Sequence, residues 1–403
     1  MKSILGTVLF AGLVLAPVPA QGPAPEGVSS VLNEKLKIGG RLDFEFYDAQ
    51  AERRLGVGGA TQFRIRRFQL NLGVEMIRDF FFRSTLTMDP VVRDEDEGAV
   101  DLDEAYFRFG NLGRNLFGFE DPTNTFIQVG NFYRWERGFF EARHEAYSLA
   151  GTSFYRDEVT GLRIGGDTEE GFFYRLGLDN GPMVTKRDAG VNLNGASPLV
   201  HDNEARGDAN NSKDFSVGLG IKDRLEEPDV GYRLAVSARF GRLSAADRTF
   251  LTNNFGSTYD GTAKRNRYGI LAGLDWNDQT FHAGLDAEYW YAKDGNGERQ
   301  IFGISPFLKL KLDGVYYQQR LFFTGIGLAY RLGIMQQARG FANASASSST
   351  ALRAISDDRQ MHTLTLGIDV TQNVDMKIEV NTFEENNLDL ANTEWLVQWS
   401  VRF

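Results

Sequence analysis

The chain has 403 residues and no cysteine. That absence excludes a disulfide scaffold, thiol chemistry and cysteine-bound metal. Histidine is scarce too. His144, His201, His282 and His362 lie far apart, none with a partner at metal-ligand spacing, so no metal and no other cofactor is expected. No nucleophile motif is present, and no enzymatic activity is expected. Past the N-terminus there is no apolar run of the roughly 20 residues that a membrane helix needs, which excludes a helical bundle in lipid. Basic residues are the minority, 44 against 54 acidic for a net charge of −10, which argues against a nucleic-acid binder. The chain is rich in glycine, at 44, and phenylalanine, at 31. So many aromatics exclude a disordered chain.

The first 20 residues read as a secretory signal. Met1-Lys2 is a positive start, Ile4 to Leu15 is apolar, and Val18-Pro-Ala20 offers small residues for cleavage. Residues 21–35, with proline, serine and glycine, read as a short periplasmic leader. No cysteine follows the signal, so a lipoprotein anchor is not expected.

Residues 36–403 alternate by twos. Leu36, Ile38, Leu42, Phe44 and Phe46 are interleaved with Lys37, Gly39, Arg41, Asp43 and Glu45. That is a strand with one apolar and one charged face. Sixteen such runs fall near 36–48, 61–74, 80–89, 100–109, 125–132, 156–165, 172–179, 214–222, 230–240, 267–276, 279–291, 301–312, 318–333, 361–371, 373–383 and 394–403. Most are about 9–11 residues, the length of a tilted strand crossing a bilayer. No comparable stretch shows a helical period. Alternate connections are short (75–79, 166–171, 223–229, 277–278, 313–317 and 372), with 110–124 as the exception, and the others tend to be long. Short periplasmic turns and long extracellular loops are the mark of an all-β, 16-stranded antiparallel transmembrane barrel in the bacterial outer membrane. Such a barrel is too wide for side chains to fill and encloses water. Tyr268, Trp276, Tyr289, Tyr291, Trp395 and Trp399 suit the aromatic girdles facing lipid and lipopolysaccharide. Phe403 ends the chain in the outward phase, as the signal read by the barrel assembly machinery does.

Several segments resemble the phosphate-selective porin O and P family. They are Phe63-Arg-Ile-Arg-Arg-Phe-Gln-Leu-Asn-Leu-Gly-Val74, Asp79-Phe-Phe-Phe-Arg83, Thr87-Met-Asp89, Val100-Asp-Leu-Asp-Glu-Ala-Tyr-Phe-Arg-Phe109, Ile127-Gln-Val-Gly-Asn-Phe132 and Arg175-Leu-Gly-Leu-Asp-Asn-Gly181. The resemblance implies a homotrimer, a loop folded into the pore and basic residues along its wall. One departure stands out: where the family commonly carries a lysine- and proline-containing turn, this chain has Tyr133-Arg-Trp-Glu-Arg-Gly138.

In a channel, function lies in pore radius and lining charge. The third external connection is the one expected to fold inward. It carries Arg134, Arg137, Arg143 and His144 against Glu136, Glu141 and Glu145. Arginine suits oxyanions because its planar fork donates two hydrogen bonds. Strand phase places further cations on the inner wall: Lys37, Arg41, Arg83, Arg163, Arg233, Arg239, Arg267, Lys309, Lys311 and Arg331. The inward acids are Asp43, Glu45, Asp286, Glu288, Asp375 and Glu379. A small anion such as phosphate is the candidate solute. A general diffusion pore with a transverse field stays open, as do a sugar-type channel, to which the inward Trp290 would contribute, and a plugged structural barrel. At Arg66-Arg67 the phase slips, and a β-bulge is expected there. The acidic run Asp94-Glu-Asp-Glu97 matches no calcium-loop spacing and reads as a solvated cluster.

Overall fold

A computed structural model describes residues 35–50, 60–88, 100–187, 199–203, 213–255, 261–317, 320–338, 358–385 and 390–403. The signal segment, nearly all of the leader and the acidic run 94–97 lie outside the described residues. In chain order the strands are β1 (Leu36–Gln50), β2 (Ala60–Ile77), β3 (Phe80–Met88), β4 (Val100–Phe109), β5 (Phe126–Tyr133), β6 (Glu158–Asp167), β7 (Phe172–Asp179), β8 (Met183–Arg187) and β9 (Leu199–Asn203). They continue as β10 (Asp214–Leu225), β11 (Val230–Arg242), β12 (Lys264–Asn277), β13 (Phe281–Asp294), β14 (Gly297–Tyr317), β15 (Arg320–Ala338), β16 (Arg359–Thr371), β17 (Val374–Glu385) and β18 (Leu390–Arg402).

All but β8 and β9 form one closed antiparallel barrel of sixteen strands, sealed where β1 pairs with β18 from Arg41↔Arg402 to Gln50↔Thr393. Each of the sixteen expected runs overlaps one barrel strand. The alternation sorts the faces as expected. Leu234, Val236, Ile270 and Leu274 are about half exposed on the outside, whereas Arg233, Arg239 and Asp286 are buried inside. A closed barrel with an apolar belt outside and charges inside is the architecture of a bacterial outer-membrane protein.

The expected bulge is present. The β1–β2 register runs Asp43↔Arg67 and then Phe44↔Ile65, leaving Arg66 as the extra residue. It turns Arg64, Arg66 and Arg67 all away from the apolar face on which Phe63, Ile65 and Phe68 lie.

Three elements differ from expectation. A helix, α1 (Ala245–Phe255), stands in the connection after β11. Its sequence, rich in threonine and asparagine, has no amphipathic period, so it left no helical signal. Reciprocal capping starts it: the Ser244 amide donates to Asp247 (2.7 Å) and the Asp247 amide to Ser244 Oγ (3.0 Å). β8 and β9 form a separate hairpin in the connection after β7. The wall also has uneven height. β3 to β7 are 8–10 residues long, but β14 and β15 reach 21 and 19.

The C-terminus is seated on a glycine. Gly40 and Phe403 exchange backbone hydrogen bonds of 2.8 and 3.1 Å, and the Phe403 ring lies over Gly40, where any Cβ would collide with it. The ring also stacks on Phe68 at 6.4 Å. Gly40→Val is expected to displace the terminal ring at a cost of about 1–3 kcal/mol, a typical overpacking penalty. A smaller folded, heat-modifiable fraction on a semi-native gel checks this.

Candidate pore constriction

Residues 134–157, between β5 and β6, do not project outward. They cross the lumen and contact the opposite wall. Unless an irregular segment there finds partners for its backbone, each buried amide and carbonyl costs free energy. The far wall supplies them. The Glu379 carboxylate accepts the amides of Glu145 (2.8 Å) and Ala146 (2.9 Å). Arg331 donates to the carbonyls of Ala146 (2.8 Å) and Tyr147 (3.1 Å). One acid and one base thus clamp the tip of the segment from both sides of its backbone. Thr365 and Asn381 donate to the same carboxylate and hold it in place.

Beneath the clamp the contact is apolar. Leu149, Ala150, Phe154 and Tyr155 pack on Ala235, Leu271, Trp290, Ala292, Ile301, Met335, Met361 and Phe383. This corrects the expectation of an inner wall that meets water throughout: part of the wall is dry because the inward segment covers it. Trp290 is inward, but it lies against Phe154 (5.7 Å) and Tyr155 (5.4 Å) rather than open to a solute. Each such large side chain contributes about 1.5–3 kcal/mol when buried. At the other end Trp135 lies flat on Gly218, where a Cβ would meet the indole.

The candidate cations all occupy the inner side, in three settings. Nine lie against carboxylates: Arg41 on Asp43 (2.6 Å), Arg83 on Glu104 (3.4 Å), Arg134 on Asp202 (3.6 Å), Arg137 on Glu158 (3.5 Å), Arg143 on Asp286 (2.6 Å), Arg233 on Asp275 (3.1 Å), Arg239 on Asp179 (2.8 Å), Arg267 on Asp202 (2.8 Å) and Lys309 on Asp369 (2.5 Å). Three meet carbonyls: Arg331 as above, Arg163 on Tyr133 (2.7 Å) and Lys311 on Asp278 (2.5 Å). Lys37 is exposed near the periplasmic end. The structure therefore separates residues that the strand phase alone grouped together. Arg134 and Arg239 belong to a buried network with Arg265, Arg267, Arg299, Asp179, Asp202, Asp214 and Asp294, which ties the β8–β9 hairpin to the barrel mouth.

Three cavities follow one another past the inward segment. The first, about 470 Å³, opens at the periplasmic end among Arg143, Lys309, Asp369, Lys377 and Arg402. The second, about 320 Å³, shares Glu141, Ala142 and Arg143 with it and adds Arg41, Arg67, Arg137 and Tyr147. The third, about 90 Å³, is lined by Arg66, Arg67, Arg137, Arg156, Tyr133, Tyr147, Thr87, Asp101, Asp103, Asp157 and Glu158. Four guanidiniums converge on this smallest space. Arg137 stacks on Tyr133 at 3.4 Å and donates to the Tyr147 hydroxyl at 3.1 Å. Burial by itself would raise the Tyr147 phenol. Arg137 and Arg156, with Arg67 and Arg66, outweigh it and hold the phenol below its ordinary value. The acids on the same lining are engaged in part: Asp103 accepts the hydroxyls of Thr87 (2.6 Å) and Tyr133 (2.7 Å), and Glu158 faces Arg137.

Arg66, Arg67 and Arg156 were absent from the candidate set. The phase slip at Arg66-Arg67 was the signal for two of them. Arg156, just before β6, carried none. Lys377, which bridges to Glu145 at 2.6 Å, shares the inward phase of Asp375 and Glu379, but nothing local marks its partner 232 residues away.

Solved structures share the fold. OprB of Pseudomonas putida, in its high-pH structure, superposes with a TM-score of 0.62 at 10% identity over 93% of this chain and 96% of that one. The outer membrane channel DcaP of Acinetobacter baumannii gives 0.53 at 11% identity over 91% and 97%. The trimer form of OmpT, an outer membrane protein of Vibrio cholerae, gives 0.52 at 8% identity over 91% and 99%. No protein-family model and no curated protein matches the sequence.

Glu379→Ala is expected to free the tip of the inward segment. It removes two bonds to a charged acceptor, each worth about 1.5–3 kcal/mol. A larger and noisier single-channel conductance than that of the unaltered protein is the readout, with the barrel's gel mobility unchanged.

Proposed function

We propose that the protein is a passive outer-membrane channel for small hydrophilic solutes, with a preference for anions set at the narrow cavity. The observation that carries this reading is the convergence of Arg66, Arg67, Arg137 and Arg156 with the Tyr147 hydroxyl on one small space, which Asp101, Asp103, Asp157 and Glu158 also line. Guanidiniums and hydroxyls are donors only toward an oxyanion, and phosphate is the solute to which the family resemblance points. The reading assigns no catalytic step. It includes a homotrimer, supported by the low wall of β3 to β7 and by the trimer form of OmpT among the structures of this fold. Phe403 would present the chain to the barrel assembly machinery, and the outer belt would meet phospholipid and lipopolysaccharide.

A second reading is a general diffusion pore without phosphate selectivity. The nine cation–carboxylate contacts of the wall and the inward segment favour it, because they neutralise much of the inward charge. Single-channel recording separates the two. Anion-selective reversal potentials in a salt gradient, with chloride current blocked by phosphate, support the first. Large, weakly selective conductance without block supports the second. A unit charge acts on an ion 4 Å away with about 1 kcal/mol in water. Arg67→Gln is therefore expected to lower the anion permeability about fivefold, and with it the anion-to-cation permeability ratio.

Tyr147 adds a pH dependence. The arginines around it hold its phenol below the ordinary tyrosine value, so on the alkaline side it becomes an anion among them sooner than an ordinary tyrosine would. Anion preference should be full at neutral pH and fall on the alkaline side. Reversal potentials across that range check this, and Tyr147→Phe should abolish the alkaline fall.

A further inference from the structure

The outer face carries cations of its own, at the extracellular end of β10 to β13. The outward phase of these strands is the one on which Leu219, Leu234, Ile270 and Leu285 are exposed. On that phase Arg242 closes β11 and Lys264 opens β12, and the two are direct register partners. Both are exposed. One pleat lower, Lys293 of β13 pairs with Asn266, two residues along from Lys264. On the other flank the pairing Phe215↔Phe240 sets Lys213, just ahead of β10, level with Arg242. Its ammonium donates to Asn180 Oδ1 (2.8 Å). Four cations thus share an outward row over four neighbouring strands. Among the described residues the acid of that row is Glu298, which Lys293 meets at 3.0 Å.

Like charges directly opposite one another on neighbouring strands destabilise a sheet, because their Cβ atoms are only about 5 Å apart. On the inner face the same strands set arginines against acids: Arg265 and Arg267, next to Lys264 and Asn266 in the chain, meet Asp214 and Asp202. The outer row has four cations to one acid, and an anion seated between Arg242 and Lys264 would relieve their repulsion. Beneath the row lie aromatic rings, Phe240 against Tyr268 (5.8 Å) and Tyr268 against Tyr291 (6.2 Å). Aromatic side chains gather at the level of lipid headgroups. The cations above them therefore stand at the height of headgroup phosphates. Arg242, Lys264 and Lys293 lie on the second, third and fourth strands past β7 in the ring, so a homotrimer contact through β3 to β7 leaves them facing lipid.

We propose that this row is a binding site for the lipid A phosphates of lipopolysaccharide, with Arg242 and Lys264 at its centre. The Arg242 fork would take two phosphate oxygens and the Lys264 ammonium a third. Two observations select lipopolysaccharide over phospholipid. The row is at the extracellular end, where the outer leaflet is made of it. The row also spans three strand spacings, roughly 14 Å, which suits a headgroup with two phosphates rather than one. The inference makes specific the lipopolysaccharide contact of the proposed function, and it does not depend on which solute passes.

The test uses the full-length protein refolded in detergent free of lipopolysaccharide. It is titrated with diphosphoryl lipid A, monophosphoryl lipid A or phosphatidylglycerol, and binding is read by native mass spectrometry. The double variant Arg242→Gln/Lys264→Gln is compared with the unaltered protein and with Arg78→Gln, which alters an exposed cation at the periplasmic end. The expected result is that diphosphoryl lipid A binds the unaltered protein more tightly than either other lipid does. Its binding weakens about thirtyfold in the double variant and is unchanged in Arg78→Gln. Lys264→Gln alone, with an expected loss of about fivefold, carries the test if the double variant does not fold. Equal binding of lipid A by the unaltered protein and the variants overturns the proposal. Phosphatidylglycerol binding as tight as that of diphosphoryl lipid A overturns it too, since the site would then take any lipid phosphate. Single-channel conductance recorded on the same proteins keeps this inference separate from the channel reading: the row faces away from the lumen, so conductance should not change, and a variant that alters conductance while keeping its lipid A binding overturns the site.

Discussion

Everything in this molecule depends on the hydrogen bonds between β1 and β18. In lipid no water is present to satisfy a strand edge, so a sheet with two free edges would leave two rows of amides and carbonyls unpaired. Pairing Arg41 with Arg402 through to Gln50 with Thr393 removes both rows at once. Closure then fixes the rest. Alternate side chains must face lipid or lumen, the start of β1 and the end of β18 come to one end, and the terminal Phe403 reaches Gly40, whose lack of a Cβ lets the ring lie flat.

Closure with sixteen strands also creates a problem that the remaining chain answers. The ring is too wide to be filled by its own side chains. The segment 134–157 occupies part of the space. Its backbone is received by Glu379 and Arg331, and its apolar side chains by a patch of wall made of small and large hydrophobic residues. The same wall binds most of its arginines to acids. A buried charge without a partner is costly, and even a paired one gains little net stability. The pairs are thus better understood as positioning devices than as a source of stability: they set where the open space runs. Its narrowest part passes between the inward segment and β2 to β4, where Arg66, Arg67, Arg137 and Arg156 stand together. The mouth network around Asp202, Arg267 and Asp294 does a similar job for the β8–β9 hairpin.

Much of this was legible in the residue order. The period-two pattern marked all sixteen strands, because one face of each must be apolar and the other polar. The slip at Arg66-Arg67 marked a bulge, because a one-residue insertion is what reverses the phase without breaking a strand. Helix α1 was not legible, since its capping contact and burial outweigh a weak local preference. Nor was the dry patch. Ala235, Leu271, Met335 and Met361 occupy the inward phase, but only the segment folded over them explains their apolar character. The pairing of Lys377 with Glu145 is a further instance: phase puts Lys377 on the inner wall, but nothing local marks its partner.

The sequence by itself determined the barrel: its strand number, its inner and outer faces and its bulge. Those features follow from period, and period is local. Only the tertiary structure decided the pore. Which cations are neutralised, which surround open space and which merely hold a loop are questions of distance between residues far apart in the chain. Arg134 and Arg137 show why. They lie three residues apart in one segment of one charge type, yet one is buried on Asp202 in the mouth network and the other lines the narrow cavity. No rule of spacing separates them, because their difference lies in what the closed wall brings against each.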